Sequence, residues 1–335
     1  MRIIVFDVPA EKGGALSILN EFYNKYKDEN GKEYFFVVGK AILEDTDNIT
    51  VLRYPWVKKS WFHRLYFEHF IGPKLIKNYK VDEVFSLQNI LIPHTMTAQT
   101  LYVHNALPFS EYRFSILEDK LLWIYQNILG RFILRSIKKA NRVIVQTNWM
   151  KQACIVKTGI DGKKIDVIPP SINISVKEYY QRNINDTLTF FYPASAAIFK
   201  NHKIVVDACK TLKEEKFENF KIIFTLSGNE NKHVAKLYRE IKEKKLPIEF
   251  IGSISREEVF EFYSKSVLLF PSYIETFGLP MLESRMHRGM ILASDSIFSH
   301  EILKKYDNAY FFNPFDSIEL AKLMSLIILD EVKYN

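Results

Sequence analysis

The sequence predicts an α/β protein made of two doubly wound domains. Short apolar runs alternate with segments whose apolar residues recur at helical spacing, and this series runs twice along the chain. The length of 335 residues exceeds what a single hydrophobic core usually serves. Because strands that alternate with helices form parallel sheets, we expect one parallel sheet in each domain.

The first series occupies residues 1–170. An apolar strand around Val5 is followed by the turn Lys12-Gly13-Gly14 and by a helical pattern that includes Leu19 and Tyr23. Further strands are predicted over 34–38, 84–87, 100–103 and 142–146, and a helix over 116–139. A polar, proline-containing connection over about 167–185 then interrupts the pattern, so we place the domain boundary at residue 170.

The second series is predicted over residues 171–315. Its strands are expected at 189–192, 221–226, 248–251, 267–270 and 290–294, and its helices at 202–215, 233–244, 256–264 and 280–288. Ligands of such sheets bind at the carboxyl ends of the strands, and a cleft between two such domains is the expected site.

Composition limits the class of protein. Hydrophobic residues make up 47% of the chain and charged residues 25%, which is globular rather than disordered composition. The two cysteines, Cys154 and Cys209, lack partners at metal-ligand spacing, so we predict neither a disulfide framework nor a zinc site. Since no signal peptide and no apolar run of membrane-spanning length is found, we expect a cytoplasmic protein.

Positive charge is concentrated in the first half of the chain. Residues 1–170 carry 24 Lys/Arg against 17 Asp/Glu, whereas residues 171–335 carry 22 of each. Residues 54–80 hold six Lys/Arg and one acid, Glu68, interleaved with aromatic residues. Two interpretations stay open: this stretch contacts an anionic membrane surface, or its aromatics belong to the domain core and its lysines face solvent. No nucleic-acid recognition motif is present.

The most informative segment runs from residue 267 to 289. An apolar strand ends at Pro271, a loop carries Glu275 and Gly278, and Pro280 suits the first turn of a helix. The backbone N–H groups at the start of that helix are expected to bind phosphate or sugar hydroxyls. Glu275 in the loop and Glu283 one turn into the helix supply carboxylates, which accept hydrogen bonds from the hydroxyls of a sugar or a ribose.

This segment resembles the E-x7-E signature of the family-4 retaining glycosyltransferases, in the form Pro-Ser-x-x-Glu-Thr-Phe-Gly-Leu-Pro-x-x-Glu. The resemblance extends to the glycine turn at 12–14 and to residues 142–148, 165–170 and 192–202. It implies the GT-B fold, with two Rossmann-like domains facing across a cleft. Residues 1–170 would bind the acceptor, 171–315 the nucleotide-sugar, and a helix within 316–335 would cross back to the first domain.

The resemblance also implies roles for individual residues. Glu283 would bind the donor ribose, Glu275 a hydroxyl of the transferred sugar, and Lys200 the diphosphate leaving group, whose charge grows in the transition state. His104, at a strand end, would reach the transferred sugar, although a structural role for this histidine stays open. Donor binding is thus assigned to Gly13, Gly14, Lys200, Asn201, Glu275, Thr276, Phe277, Gly278, Leu279 and Glu283, and catalysis to His104, Lys200 and Glu275.

The expected reaction is transfer of a sugar from a nucleotide-diphosphate-sugar to a glycan acceptor, lipid-linked if the membrane interpretation holds, in cell-surface polysaccharide synthesis. No metal or cofactor is expected, and Asp45-Thr-Asp47, which mimics a metal motif of another fold, is interpreted as a turn. One departure is notable: the family usually has an arginine before the lysine, where this chain has Ala194–Ala197. A non-catalytic sugar-nucleotide-binding partner therefore stays as an alternative. A GT-B relative such as an epimerase or a phosphorylase is a separate alternative.

Overall fold

The computed structural model describes residues 1–11, 13–171, 176–182, 187–332 and 334. Lys12 of the predicted glycine turn and parts of the predicted connection, residues 172–175 and 183–186, lie outside the described residues. The chain divides into two compact units, Met1–Ile172 and Asn173–Asn335. Each unit contains one parallel sheet interleaved with helices, as the α/β pattern of the sequence predicts.

The first unit contains a seven-stranded sheet in the order β3-β2-β1-β4-β5-β6-β7. Its elements are β1 (Arg2–Asp7), α1 (Gly13–Lys27), β2 (Glu33–Val38), β3 (Ile49–Arg53), α2 (Trp61–Tyr66), α3 (Gly72–Asn78), β4 (Glu83–Ser86), β5 (Ala98–Val103), α4 (Lys120–Ile124), α5 (Gly130–Lys139), β6 (Arg142–Val145), α6 (Asn148–Thr158) and β7 (Ile165–Val167). Single π-helical segments, Phe67–Ile71 and Tyr125–Leu129, connect α2 to α3 and α4 to α5.

The core of the first unit lies on both faces of this sheet. Along β1, Ile3 and Val5 pack into one apolar cluster, while Ile4 and Phe6 pack into another on the opposite face. Successive side chains of a strand point to opposite faces, so a strand covered on both sides is apolar throughout. This arrangement explains why the central strands are recognisable in the sequence as unbroken apolar runs.

Four features of the first unit differ from the sequence prediction. The predicted helix over 116–139 begins only at Lys120, because Asp119 caps it by accepting the N–H of Leu122 at 2.9 Å. Strand β3 is absent from the prediction because it is a short strand at the edge of the sheet, and its buried residues alternate with exposed ones. Helix α6 and strand β7 were also not predicted from the pattern.

The second unit contains a six-stranded sheet in the order β10-β9-β8-β11-β12-β13. Its elements are β8 (Leu188–Tyr192), α7 (His202–Glu214), β9 (Phe220–Phe224), α8 (Lys232–Glu243), β10 (Ile248–Phe250), α9 (Arg256–Lys265), β11 (Val267–Phe270), α10 (Leu279–Met286), β12 (Ile291–Ser294), α11 (Ile297–Ile302), β13 (Ala309–Phe312) and α12 (Ser317–Ile328). The predicted elements of this unit are present with ends shifted by at most two residues. Helix α12 packs on α7 of the same unit.

Strand order fixes where each sheet can bind a ligand. In the first sheet the order reverses between β1 and β4, and in the second it reverses between β8 and β11. The loops that leave neighbouring strands at such a switch point run in opposite directions, which opens a crevice at the carboxyl ends of the strands. The switch points are therefore the places where functional side chains are expected.

Candidate functional site

Lys200 and Glu275 meet at the switch point of the second sheet. Lys200 follows β8 and Glu275 follows β11, and the lysine ammonium forms an ion pair with Oε1 of the glutamate. The hydroxyl of Ser272 donates to the same oxygen at 2.8 Å. The Lys200 side chain is 20% exposed and that of Glu275 14% exposed. The pair is thus held in place and is still partly exposed.

The loop that carries Lys200 is anchored by hydrogen bonds to its backbone. The phenol of Tyr192 donates to the carbonyl of Lys200 at 2.6 Å, and the amide of Tyr273 donates to the carbonyl of Phe199 at 3.1 Å. Asn201 has a φ of +60°, and its side-chain amide donates to the carbonyl of Pro314 at 2.6 Å. The Asn201 amide group therefore holds together the loops around Lys200.

Glu283 lies on α10 in a separate polar cluster. Its Oε1 accepts from Arg256 at 3.2 Å, and its Oε2 accepts from the phenol of Tyr263 at 3.1 Å. Burial raises the pKa of the Glu283 carboxyl, while the Arg256 charge and the Tyr263 hydrogen bond act in the opposite direction. From the sequence alone, Arg256 is assigned no site role. The capping box of Ser255 and Glu258 marks it only as the first residue of α9.

The N-terminus of α10 has no side-chain cap. Gly278 precedes it with a φ of +93°, and a Cβ there would lie 2.5 Å from Cε of Met281. The side chain of Phe277 is buried, so this residue offers only its backbone to a ligand. Because the first N–H groups of a helix lack partners within the helix, this end is suited to bind an anion or a hydroxyl.

His104 and the two predicted glycines belong to the first unit. His104 follows β5, and burial lowers the pKa of its imidazole to about 4, so the ring is neutral at physiological pH. Its amide donates to Oδ1 of Asn89 at 2.7 Å. Gly13 and Gly14 begin α1, and apart from their chain neighbours and the backbone of α1, no atom of the described residues lies within 4 Å of a Cβ built on either glycine. Packing among the described residues therefore does not explain why Gly14 is a glycine.

The described residues contain no group of three or more His, Cys, Asp or Glu side chains arranged to hold a metal ion. In the Asp45-Thr-Asp47 segment, Oδ1 of Asp45 accepts the N–H of Val51 at 2.6 Å. The amide of Ile49 donates to the carbonyl of Thr46 at 3.3 Å. These bonds form a turn that leads into β3.

The basic aromatic stretch 54–80 divides into two groups of side chains. Trp56 and Phe67 pack against each other and onto the core, with ring centroids 6.1 Å apart. Phe62 and Phe70 are instead 83% and 57% exposed. The core interpretation thus holds for Trp56 and Phe67, whereas contact of the exposed rings with an anionic membrane stays a prediction. Within the part of the chain that the structure describes, no helix is long and apolar enough to cross a membrane.

Two units of this kind, each a parallel sheet with helices on both faces, form the GT-B fold. The structure matches Anabaena HepE in complex with UDP-glucose with a TM-score of 0.70 at 15% identity, over 99% of this chain and 90% of that one. It matches sucrose-phosphate synthase from Thermosynechococcus elongatus with a TM-score of 0.71 at 14% identity, over 98% of this chain and 90% of that one. The predicted fold class is confirmed.

Two sequence comparisons find similar proteins. Residues 179–335 match the family model of the Glycosyl transferases group 1, and this segment includes Lys200, Glu275 and Glu283. The chain is 26% identical over 225 residues to the O-antigen chain mannosyltransferase RfbU of Salmonella typhimurium. That alignment covers 65% of this chain and 57% of RfbU, little more than half of the relative's length. The second unit is thus similar in sequence to the Glycosyl transferases group 1, and the whole chain shares the fold of the solved structures above.

Proposed function

We propose that this protein transfers a sugar, with retention of anomeric configuration, from a nucleotide-diphosphate-sugar to a glycan acceptor. The ion pair of Lys200 and Glu275 at the switch point of the second sheet carries this proposal. A cation beside a carboxylate matches a ligand that has a diphosphate next to a sugar with free hydroxyls. HepE, which shares the fold, is described as bound to UDP-glucose, in support of a donor of this class.

In the proposed mechanism the diphosphate leaving group receives most of the stabilisation. Lys200 and the N-terminus of α10 neutralise the negative charge that develops as the glycosidic bond breaks. Oε1 of Glu275 holds the Lys200 ammonium, and its second oxygen accepts from a hydroxyl of the transferred sugar. Glu283 binds the ribose, and Arg256 orients the Glu283 carboxylate.

Retention is proposed to proceed by front-face displacement. The acceptor hydroxyl attacks from the side that the diphosphate leaves, and a phosphate oxygen takes its proton, so no separate base is required. The neutral imidazole of His104 is proposed to donate to or accept from a hydroxyl of the transferred sugar. The anomeric configuration of the first product, read by NMR, tests the scheme, and an inverted product would contradict it.

We propose a lipid-linked acceptor of cell-surface polysaccharide synthesis, used at the cytoplasmic face of the membrane. The support is an apolar face made of exposed side chains of the first unit. These are Phe62, Leu65, Tyr66 and Phe70 from residues 61–71, and Leu117, Leu121, Ile128 and Phe132 from residues 116–132. The rings of Trp61 and Tyr125, 6.4 Å apart, connect the two segments. Exposed aromatics beside lysines suit the headgroup layer of an anionic membrane.

One observation favours a second candidate, a sugar-nucleotide-binding partner without turnover. Ala194–Ala197 stands where the resemblance places an arginine, so the diphosphate would meet one cation fewer. Thermal-shift screening against UDP-, GDP- and dTDP-sugars finds the donor base, since a ligand of the native state raises the melting temperature. Substitution Glu275→Gln then separates the two candidates: an enzyme loses turnover while it still binds nucleotide. A wild-type protein that binds the nucleotide-sugar without transferring or hydrolysing it would favour the binding partner.

A further inference from the structure

The first unit contains a cavity of about 490 Å³ that the proposed donor site and catalytic residues do not use. It lies at the switch point of the first sheet, because Val8 and Pro9 follow β1 and Gln88 follows β4. The remaining lining residues come from segment 57–68 and from the second π-helical segment: Val57, Lys58, Lys59, Ser60, Trp61, Arg64, Phe67, Glu68 and Tyr125. The position corresponds to that of the Lys200–Glu275 pair in the second sheet.

Gln88 gives this cavity a polar wall. Its side chain is 4% exposed, and within the described chain its Nε2 has no hydrogen-bond partner. Buried amide groups are almost always hydrogen-bonded, because an unpaired donor away from bulk water destabilises the fold. An unpaired donor in a cavity wall is therefore suited to a ligand that brings an acceptor oxygen.

The charge of the cavity favours an anion. Its lining includes the cations Lys58, Lys59 and Arg64 and the single acid Glu68. Arg64 pairs with Glu68 at 2.7 Å, and Lys58 pairs with Glu11 at 2.8 Å. No ion pair of Lys59 is found among the residues that the structure describes, so its charge is available to a ligand.

A neighbouring acid does not cancel this positive charge. Asp7 directly precedes the lining residue Val8, and it is almost fully buried, with 1% of its surface exposed. Burial raises the pKa of the Asp7 carboxyl to about 8, against the effects of the Ala10 amide and the Arg64 and Lys58 charges. The group is therefore mostly neutral at physiological pH.

Aromatic rings form another part of the wall. Trp61 and Tyr125 contact each other edge to face, and the guanidinium of Arg64 lies 5.9 Å from the Trp61 ring centroid. Flat apolar rings beside hydrogen-bonding groups suit a pyranose, which has apolar C–H faces and a polar rim. A cavity of about 490 Å³ is within the size range of small-molecule sites.

We infer that this cavity binds a phosphorylated sugar, with the phosphate on Lys59 and Arg64, the sugar on Trp61, and a hydroxyl or phosphate oxygen on Gln88. This inference rests on the proposed function, because it names the acceptor class of the transferase as a glycan that ends in a sugar phosphate or diphosphate. The phosphate can belong to a soluble phosphorylated sugar or to a lipid-linked sugar diphosphate. The chemistry that the cavity recognises is the same in both.

Isothermal titration of the full chain tests the inference directly. The probes are glucose, glucose 1-phosphate and a sugar diphosphate linked to a short prenyl chain in detergent. We expect both phosphorylated probes to bind more tightly than glucose, and Lys59→Ala to weaken them roughly tenfold by removing one charge-assisted contact. The matched control is Lys77→Ala, an exposed lysine of α3 outside the cavity, which should leave both affinities unchanged. If only the prenyl-linked probe binds more tightly than glucose, the natural ligand is a lipid-linked sugar diphosphate rather than a soluble phosphorylated sugar.

A second variant distinguishes a loss of ligand binding from a loss of folding. Gln88→Leu should weaken the phosphorylated probes while the melting temperature does not fall, since an unpaired buried amide is replaced by an apolar side chain. Equal affinities in Lys59→Ala, Lys77→Ala and wild type, or no binding of either phosphorylated probe, would overturn the inference. UDP binding to the same samples tests the second unit separately. If the wild-type protein does not bind UDP, the proposed donor site is contradicted, whereas the inferred site in the first unit is not.

Discussion

The ammonium group of Lys200 forms an ion pair with the carboxylate of Glu275, although the two residues lie 75 positions apart in the sequence. Each residue follows one of the two strands at which the order of the second sheet reverses. The pair holds a cation ready at the place where a diphosphate is proposed to bind. Such preorganisation lowers the barrier, because the protein needs no rearrangement as charge develops.

Replacement of Lys200 by alanine should lower kcat by roughly 100-fold to 1000-fold, as loss of one group that stabilises a transition-state charge does in other enzymes. The control is Lys203→Ala, which removes an exposed lysine that pairs with Asp207 at 2.5 Å on the same side of α7. Steady-state kinetics with the donor found by thermal shift provide the measurement. Equal rates in both variants would remove Lys200 from the mechanism.

The substitution Gly14→Ala should separate a ligand contact from a packing requirement. Apart from its chain neighbours and the backbone of α1, no atom of the described residues lies within 4 Å of a Cβ at this position. Alanine favours a helix by about 0.5–1 kcal/mol over glycine, so the melting temperature should stay equal or rise. If the donor or acceptor approaches this backbone, the added methyl group should reduce kcat/KM. Unchanged kinetics would contradict the role assigned to Gly14.

The substitution Gly278→Ala should instead destabilise the second unit. The φ of +93° is unfavourable for alanine, and the new Cβ would clash with Cε of Met281 at 2.5 Å. We expect a loss of about 1–3 kcal/mol, the usual range for a residue forced into a rare backbone conformation. Thermal unfolding monitored by circular dichroism measures the loss. A melting temperature equal to wild type would show that the loop relaxes around the methyl group.

Asp7→Asn should change how stability depends on pH. The pKa of Asp7 is raised to about 8 in the folded state from an ordinary value of 3.8, so the folded protein retains a proton that the unfolded chain loses. As the pH rises from about 4 to about 8, this group therefore lowers the free energy of unfolding by about 1.4 kcal/mol per pH unit. The asparagine variant lacks this loss and should gain stability relative to wild type as the pH rises.

Melting temperatures at a mildly acidic and a mildly alkaline pH check this expectation. The control is Asp47→Asn, which neutralises an exposed acid of the turn before β3. The difference between Asp7→Asn and wild type should widen towards alkaline pH, whereas that between Asp47→Asn and wild type should stay nearly constant. A pH-independent difference for Asp7→Asn would mean that this carboxyl is already ionised in the folded protein.

Sugar transfer should continue in excess chelator, because Lys200 and the N-terminus of α10 are proposed to stabilise the leaving group without a metal ion. Initial rates with and without EDTA, followed by addition of manganese, measure this. Loss of activity in EDTA and its recovery with manganese would assign leaving-group stabilisation to a metal ion instead.

Substitution of Phe62 by serine should weaken binding to anionic vesicles at low salt. The side chain is 83% exposed in the free protein, so its removal leaves the fold intact but deletes apolar area that would enter the headgroup layer. We expect roughly tenfold weaker binding in a sedimentation assay. Ile297→Ser, at a 64% exposed residue of the second unit, is the control. Absence of vesicle binding in wild type would contradict the membrane proposal.

The sequence predicted the second unit better than the first. Between Leu188 and Ser294 the strands are short and mostly apolar, β11 and β12 are buried throughout, and two of the four helices carry side-chain caps, Asn231 for α8 and Ser255 for α9. In the first unit, β3 is short and half-polar, and α2 and α3 are joined by a π-helical segment that breaks the helical period. Periodicity alone does not reveal such elements.

The sequence by itself determined the fold class, the loop with Glu275 and the helix with Glu283, because strand, turn and helix signals act over a few residues. The tertiary structure alone decided that Lys200 meets Glu275, that Arg256 holds Glu283, and that Gln88 faces a basic cavity. Strand order brings distant loops to one switch point, and burial then sets which side chains stay charged. The spacing of apolar residues indicates which strands are buried, but it contains neither the strand order nor the contacts between distant loops.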